Sequence, residues 1–369
     1  PEERRFFESV WTRWSGAHPR GKSPRGFKTI LVRCPNWVGD VVMATPAFDC
    51  IRQNFPHARI VALVRRYARG VLEDGPWFDE ILDCEDRSPG GFLRTVQTIR
   101  RQKPDLAVIL PNSVRSALAA RLAGVPRIAG YRRNGRSLLL TSGPEPRRTS
   151  GKILPIPMVE YYLDLCRWMG WKVPTDPKPS LFMSPGLEEK AEGILREHGI
   201  LPGDRIIGIN PGARFGSSKC WPPEYFARLA DLFALEGNGK LLLLVGPGEG
   251  DIARAILRAT RAPILDTSPY KVDLALLKPL VSRCSLMITN DTGPRHYAVA
   301  LGVPAVVIMG PTDPRYTAAN LENTLVLRED LDCSPCHKKV CPTDHRCMTR
   351  ITPETVYRAG VELLKSREP

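Results

Sequence analysis

Short apolar runs alternate with stretches of helical spacing along the chain, and the alternation occurs twice. In the first half, residues 29–32, 59–64, 80–82, 106–110 and 127–129 predict strands. A helical segment running to Phe55 and helices around 92–101 and 113–123 lie between them. In the second half, strands are predicted at 206–209, 240–245, near Ile264, from Leu286 and at 304–309. Helices follow over 224–235, after Gly250, over 274–282, through Leu301 and finally over 353–365. Between the halves, from 131 to 185, the pattern loosens around Pro144, Pro146, Pro174, Pro177, Pro179 and Pro185, with one helix near 159–169, as expected of an inter-domain connection. Strands alternating with helices imply right-handed crossovers and parallel sheets covered on both faces. The expected fold class is therefore α/β, with two doubly wound domains over 28–180 and 181–352, an arm over 1–27 and a terminal helix over 353–369. In such sheets ligands sit beyond the carboxyl ends of the strands, so the loops there carry the chemistry.

Length and charge narrow the chemistry. The 369 residues, 43% of them hydrophobic, suffice for two cores. No apolar run reaches the ~20 residues that cross a bilayer, and no secretory signal pattern opens the sequence. The net charge of +14 favours an anionic partner, either an acidic membrane surface or a phosphorylated substrate. Nucleic acid is the least supported, because no basic recognition helix, zinc-finger spacing or aromatic RNA-binding signature is present. In the arm, Phe6, Phe7, Val10, Trp11 and Trp14 fall at helical spacing beside Arg4, Arg5 and Arg13. That pattern suits a helix on an anionic membrane; the other readings are a helix docked on the protein's own surface or a frayed terminus. Cys34, Cys50, Cys84, Cys166, Cys220 and Cys284 are scattered among apolar positions, as reduced core thiols of a cytosolic protein are.

Three strand-end loops of the second half suit a phosphate: Asn210 to Lys219, Gly246-Pro247-Gly248-Glu249 and Asn290 to His296. Glycine permits close backbone approach, Lys219 offers a point charge, and a helix start aims N–H groups at one spot. Each feature alone also reads as an ordinary turn, with Asp291 or Thr292 only capping a helix. Together on one sheet edge they predict a nucleoside diphosphate site, with Glu249 on the ribose. In the first half, Gly39-Asp40 places one carboxylate in a strand-end loop, as either a helix cap or a general base facing that site.

Pro35-Asn36-Trp37-Val38-Gly39-Asp40, Pro211-Gly212-Ala213 followed by Lys219-Cys220-Trp221-Pro222, and Asn290 to His296 with Gly310-Pro311-Thr312-Asp313-Pro314 together resemble glycosyltransferase family 9. These are the ADP-heptose:lipopolysaccharide heptosyltransferases. The resemblance runs from about Thr29 to the terminal helix, and the Trp-Val-Gly-Asp form is more like the second heptosyltransferase type than the first. It implies a GT-B fold: two Rossmann-like domains facing a cleft, acceptor in the first and donor in the second. It further implies Asp40 as catalytic base, Lys219 on the donor phosphates, and Asp291, Thr292 and Gly293 around the diphosphate. Gly212, Glu249, Arg295 and His296 complete the expected donor site, and Asn36 and Trp37 the acceptor side. Pro294-Arg295 departs from the commoner small or apolar residues, leaving Arg295 to a donor phosphate or to the protein itself.

The reaction so implied moves heptose from ADP-heptose to a lipopolysaccharide-core heptose with inversion. It would take place in the cytoplasm at the inner face of the inner membrane, with peripheral membrane contact. No cofactor is expected for the chemistry, a cation's role falling to protein groups. Cys333, Cys336, Cys341 and Cys347, with His337 and His345 between them, are dense enough in ligands for a structural Zn²⁺, with reduced thiols or a disulfide as the other readings.

Overall fold

The structure, a computed structural model, describes residues 26–366, so the basic arm lies almost wholly outside the described residues. Five strands form the first sheet: β1 (Thr29–Arg33), β2 (Arg59–Val64), β3 (Glu80–Asp83), β4 (Leu106–Ile109) and β5 (Arg127–Ala129). They are parallel and stand in the order β3-β2-β1-β4-β5, with Ile30 opposite Ile60 on one side and Leu106 on the other. A two-residue hairpin, β6 (Arg148–Thr149) and β7 (Lys152–Ile153), follows. The second sheet holds β8 (Ile206–Asn210), β9 (Lys240–Leu243), β10 (Ile264–Asp266), β11 (Leu286–Asn290), β12 (Ala305–Ile308) and β13 (Thr324–Leu327), parallel in the order β10-β9-β8-β11-β12-β13. The central strands β8, β11 and β12 are buried along their whole length, which is why they read as continuous apolar runs. The architecture is GT-B, two Rossmann-like sheets with their helices.

In each sheet the strand order reverses once, between β1 and β4 and between β8 and β11. A crevice opens at such a switch point. The segments that follow β1, β4, β8 and β11 meet there; they contain Asn112, Lys219 and Asp291, and Asp40 in the first turn of the Val38–Met43 helix rather than in a loop.

Three elements escape the periodicity. The Pro185–Glu197 helix begins at a proline that looks like the last of the linker, yet proline suits a first helical turn, and the helix buries Ala191, Ile194 and Leu195. The edge strand β13 is four residues long and mostly half-buried. The β6–β7 hairpin is too short to register. The single helical segment expected up to Phe55 is two helices, Val38–Met43 and Thr45–Asn54, because Pro46 has no N–H to continue the first.

The two units are packed together. One apolar cluster contains Val32 and Val108 of the first sheet and Leu242, Met287 and Val307 of the second. The Val38–Met43 helix lies against the Gly293–Ala300 helix across the divide, and the terminal Pro353–Lys365 helix packs on the Pro223–Leu235 helix of the second unit.

Candidate active site between the two sheets

The two helices that meet across the divide do so at their glycines. A methyl group on Gly39 would stand 2.5 Å from His296 Cδ2, and one on Gly293 would stand 2.9 Å from Val38 Cγ1. Only hydrogen fits at both points, so both glycines that sequence motifs single out are required by the close approach of the helices. The contact places Asp40 beside the turn that starts the Gly293–Ala300 helix.

Asp40 is half-buried, and the buried Tyr162 donates its hydroxyl hydrogen bond to Oδ1 at 3.0 Å. Burial pushes the Asp40 carboxyl up to about 6, while Tyr162 and the Lys219 ammonium work against that rise. His296 is driven the other way, down to about 3, by burial and by the Arg295 charge, so its ring is neutral. Asp40 is thus ionised near neutral pH with one oxygen held by Tyr162, the arrangement of a proton acceptor.

Opposite Asp40, Asp291 collects three donors. Lys219 Nζ reaches Oδ2 at 2.7 Å, Thr312 Oγ1 reaches the same oxygen at 2.7 Å, and Arg295 Nη1 reaches Oδ1 at 2.7 Å. Burial would raise this carboxyl, but Lys219 and Arg295 hold it well below the usual carboxylate range. The Asp291 carboxylate is filled by protein donors and holds Lys219 in place. Arg295 is 1% exposed and also bonds the Thr317 hydroxyl at 2.9 Å, so its guanidinium is taken up by protein partners. Lys219 bonds the Asp291 carbonyl at 2.8 Å as well, which occupies two of its three N–H groups. The Thr292 side chain makes no cap bond; its hydroxyl donates to Asn210 Oδ1 at 3.2 Å, and the first N–H groups of the helix are left for an anion.

The loops after β8 and β9 meet at Glu249. Its Oε2 accepts the Gly246 N–H at 2.7 Å, and a methyl group on Gly212 would stand 1.9 Å from Oε1. Gly212 therefore serves by making room for Glu249, whose carboxyl is raised by burial against that backbone bond. On the other wall, Asn36 Oδ1 accepts Arg33 Nη2 at 2.7 Å and Arg65 Nε at 3.3 Å, while Trp37 is 51% exposed at the rim. Arg214 lies 4.7 Å over the Tyr67 ring, joining the second unit to the first. Tyr162 and Tyr67 are the residues of this site that sequence reasoning did not single out; Asn210 and Thr312 stood in its motifs without a role. Tyr162 belongs to an amphipathic helix and has no motif around it; its role depends on the contact with Asp40, 122 positions away.

The cysteine-rich loop packs against the turns of this site. Among the described residues no group of three or more His, Cys, Asp or Glu is placed to hold a metal ion. Cys333 is exposed, while Cys347 is buried with its Sγ 2.8 Å from where a Gly310 methyl would sit; all four cysteines are free thiols. The loop is occupied instead in bracing the site. Ser218 N–H donates to the Lys339 carbonyl at 3.1 Å, His345 Nε2 lies 2.8 Å from the Ser218 carbonyl, and Ser334 Oγ donates to the Gly310 carbonyl at 2.7 Å. It backs the turn carrying Lys219 and the one preceding Thr312.

The sequence model of glycosyltransferase family 9 (heptosyltransferase) matches residues 92–346. The chain belongs to this family. It is 28% identical over 352 residues to lipopolysaccharide heptosyltransferase 2 of Escherichia coli, covering 92% of this chain and 99% of that protein. It is 27% identical over 311 residues to lipooligosaccharide heptosyltransferase 2 of Haemophilus influenzae, covering 81% and 88%. Among solved structures, it resembles E. coli ADP-heptose lps heptosyltransferase II, with a TM-score of 0.75 at 27% identity, covering 92% of this chain and all of that one. A family 9 glycosyltransferase of Veillonella parvula shares the fold, with a TM-score of 0.80 at 23% identity over 92% of this chain and 97% of that one. As a family 9 glycosyltransferase with a GT-B fold, the protein has Asp40 of its first unit facing the turns after β8 and β11 of its second.

Proposed function

We propose that this family 9 glycosyltransferase moves heptose from ADP-heptose to a heptose of the lipopolysaccharide inner core, with inversion at the anomeric carbon. The observation that carries the reading is the juxtaposition of a half-buried, Tyr162-bound Asp40 with the Lys219–Asp291 pair and the start of the Gly293–Ala300 helix. The names of the relatives point to the same sugar and acceptor.

In this mechanism Asp40 Oδ2 takes the proton of an acceptor hydroxyl as its oxygen attacks the anomeric carbon. The nucleoside diphosphate leaves from the opposite face of the sugar. Charge grows on the departing phosphate, where the third N–H of Lys219 and the backbone N–H groups of Thr292 and Gly293 meet it without reorganising. Glu249, seated by Gly212 and Gly246, accepts hydrogen bonds from the ribose. Asn36 and Trp37 line the acceptor side, and neutral His296 packs at the floor. An acceptor anchored in a membrane places the reaction at the cytoplasmic face of the inner membrane, with the protein held there peripherally.

A time course of ADP release with ADP-heptose and a core acceptor tests the reading. The expectation is release that depends on acceptor; ADP release from neither substrate pair, or equal turnover with GDP- and UDP-sugars, would reject it.

A further inference from the structure

One stretch of the first unit is basic without interruption by acidic residues. From Leu106 to Pro144 the chain has six arginines and no acidic residue. This stretch supplies the loops after β4 and β5, on the same strand-end edge as Asp40. Apolar side chains stand among those charges. Leu138 is 95% exposed, Leu93 59% and Val114 43%. They belong to one contiguous surface: the Pro89–Gln102 helix packs on the Val114–Leu122 helix, which packs on the Ser137–Leu139 turn. Arg115 lies 5.1 Å over the Phe92 ring and pins the first turns of the two helices together. Arg87 and Arg132 are exposed at the same edge, and the nearby Glu85 is matched by Arg94 at 3.5 Å.

The surface is tied to the cleft. Asn134 Nδ2 donates to the Asn112 carbonyl at 3.0 Å, and Tyr161, next to Tyr162, donates to Asn112 Oδ1 at 2.9 Å. Asn134, at the base of the loop that carries Leu138, is therefore two hydrogen bonds and one peptide link from Tyr162 of the Tyr162–Asp40 pair.

We infer that this face, with Leu138, Val114 and Leu93 set among Arg87, Arg115 and Arg132, docks on an anionic lipid bilayer. Exposed leucine and valine suit the acyl boundary, and arginines without competing carboxylates suit acidic headgroups. Among the described residues no helix is long and apolar enough to cross a membrane, so the contact is a surface one. The inference deepens the proposed function, because a lipid-anchored acceptor would then enter the cleft from the docked edge.

The test is sedimentation of the full chain with vesicles of phosphatidylcholine alone or with phosphatidylglycerol, which reads binding without any turnover. Wild-type protein is expected on the anionic vesicles only. Leu138→Ser is expected to weaken binding several-fold, and Arg87→Gln with Arg132→Gln by about fivefold per charge at low salt. All variants should keep the wild-type melting temperature and the wild-type rate on a water-soluble acceptor fragment. Equal binding to neutral vesicles, unchanged binding of both variants, or displacement by single-stranded RNA with no effect of Leu138→Ser would overturn the inference. Loss of turnover with vesicle binding intact would count against the proposed reaction and leave the docking face standing.

Discussion

Asp40 depends on two residues that act on it from different elements, Tyr162 by a hydrogen bond and Lys219 by its charge. Asp40→Asn removes the base and is expected to lower kcat on the order of 10²- to 10⁴-fold while ADP affinity stays near wild type by calorimetry. The carboxyl must be ionised to accept a proton, and burial has moved it up to about 6. The rate under kcat/KM conditions should therefore fall as pH drops through that value, and a flat profile from 5 to 8 would contradict the assignment. Tyr162→Phe removes a bond that favours the ionised form and should move the acid limb to higher pH. For Lys219→Ala weaker ADP binding is expected. The Asp40 and Lys219 positions were readable from their turns, because glycine and charge at a strand end point to ligand chemistry. Whether Asp291 and Arg295 touch ligand or each other was not readable, since four residues of separation fit both a shared ion pair and two independent contacts.

At the scale of elements, the decisive contact is that of the Val38–Met43 and Gly293–Ala300 helices. Gly39→Ala pushes a methyl into the His296 ring and Gly293→Ala pushes one into Val38, so each should cost about 1–3 kcal/mol as overpacking, read as a lowered melting temperature. A neutral Gly39→Ala variant would mean the helices can slide apart. Gly212→Ala is expected to act differently. It displaces the Glu249 carboxylate, so KM for the donor should rise with little loss of stability. Most strands and helices were legible from periodicity, because fully buried parallel strands and amphipathic helices leave strong patterns. The Pro185–Glu197 helix and β13 were hidden, the first by a proline that opens it and the second by its four-residue length at an edge.

For the whole molecule, the apolar cluster that runs from Val32 to Val307 makes the two units one packed body. Calorimetry should show a single cooperative unfolding transition; two well-separated transitions would mean that the shared cluster does not couple the units. The α/β class, the two tandem units, the strand-end location of the chemistry and the family resemblance follow from the sequence alone. Their signals are local: hydrophobic period, turn residues, and short motifs whose glycines and charges are adjacent in the chain. What only the tertiary structure decided is which side chains face each other across long separations. Tyr162 serves Asp40, Gly212 seats Glu249, the Asp291 carboxylate is saturated by Lys219, Arg295 and Thr312, and the cysteine-rich loop braces the Lys219 turn. Such pairings arise when sheets stack and helices dock, and a linear pattern encodes the faces that pack without encoding the partner each polar atom finds.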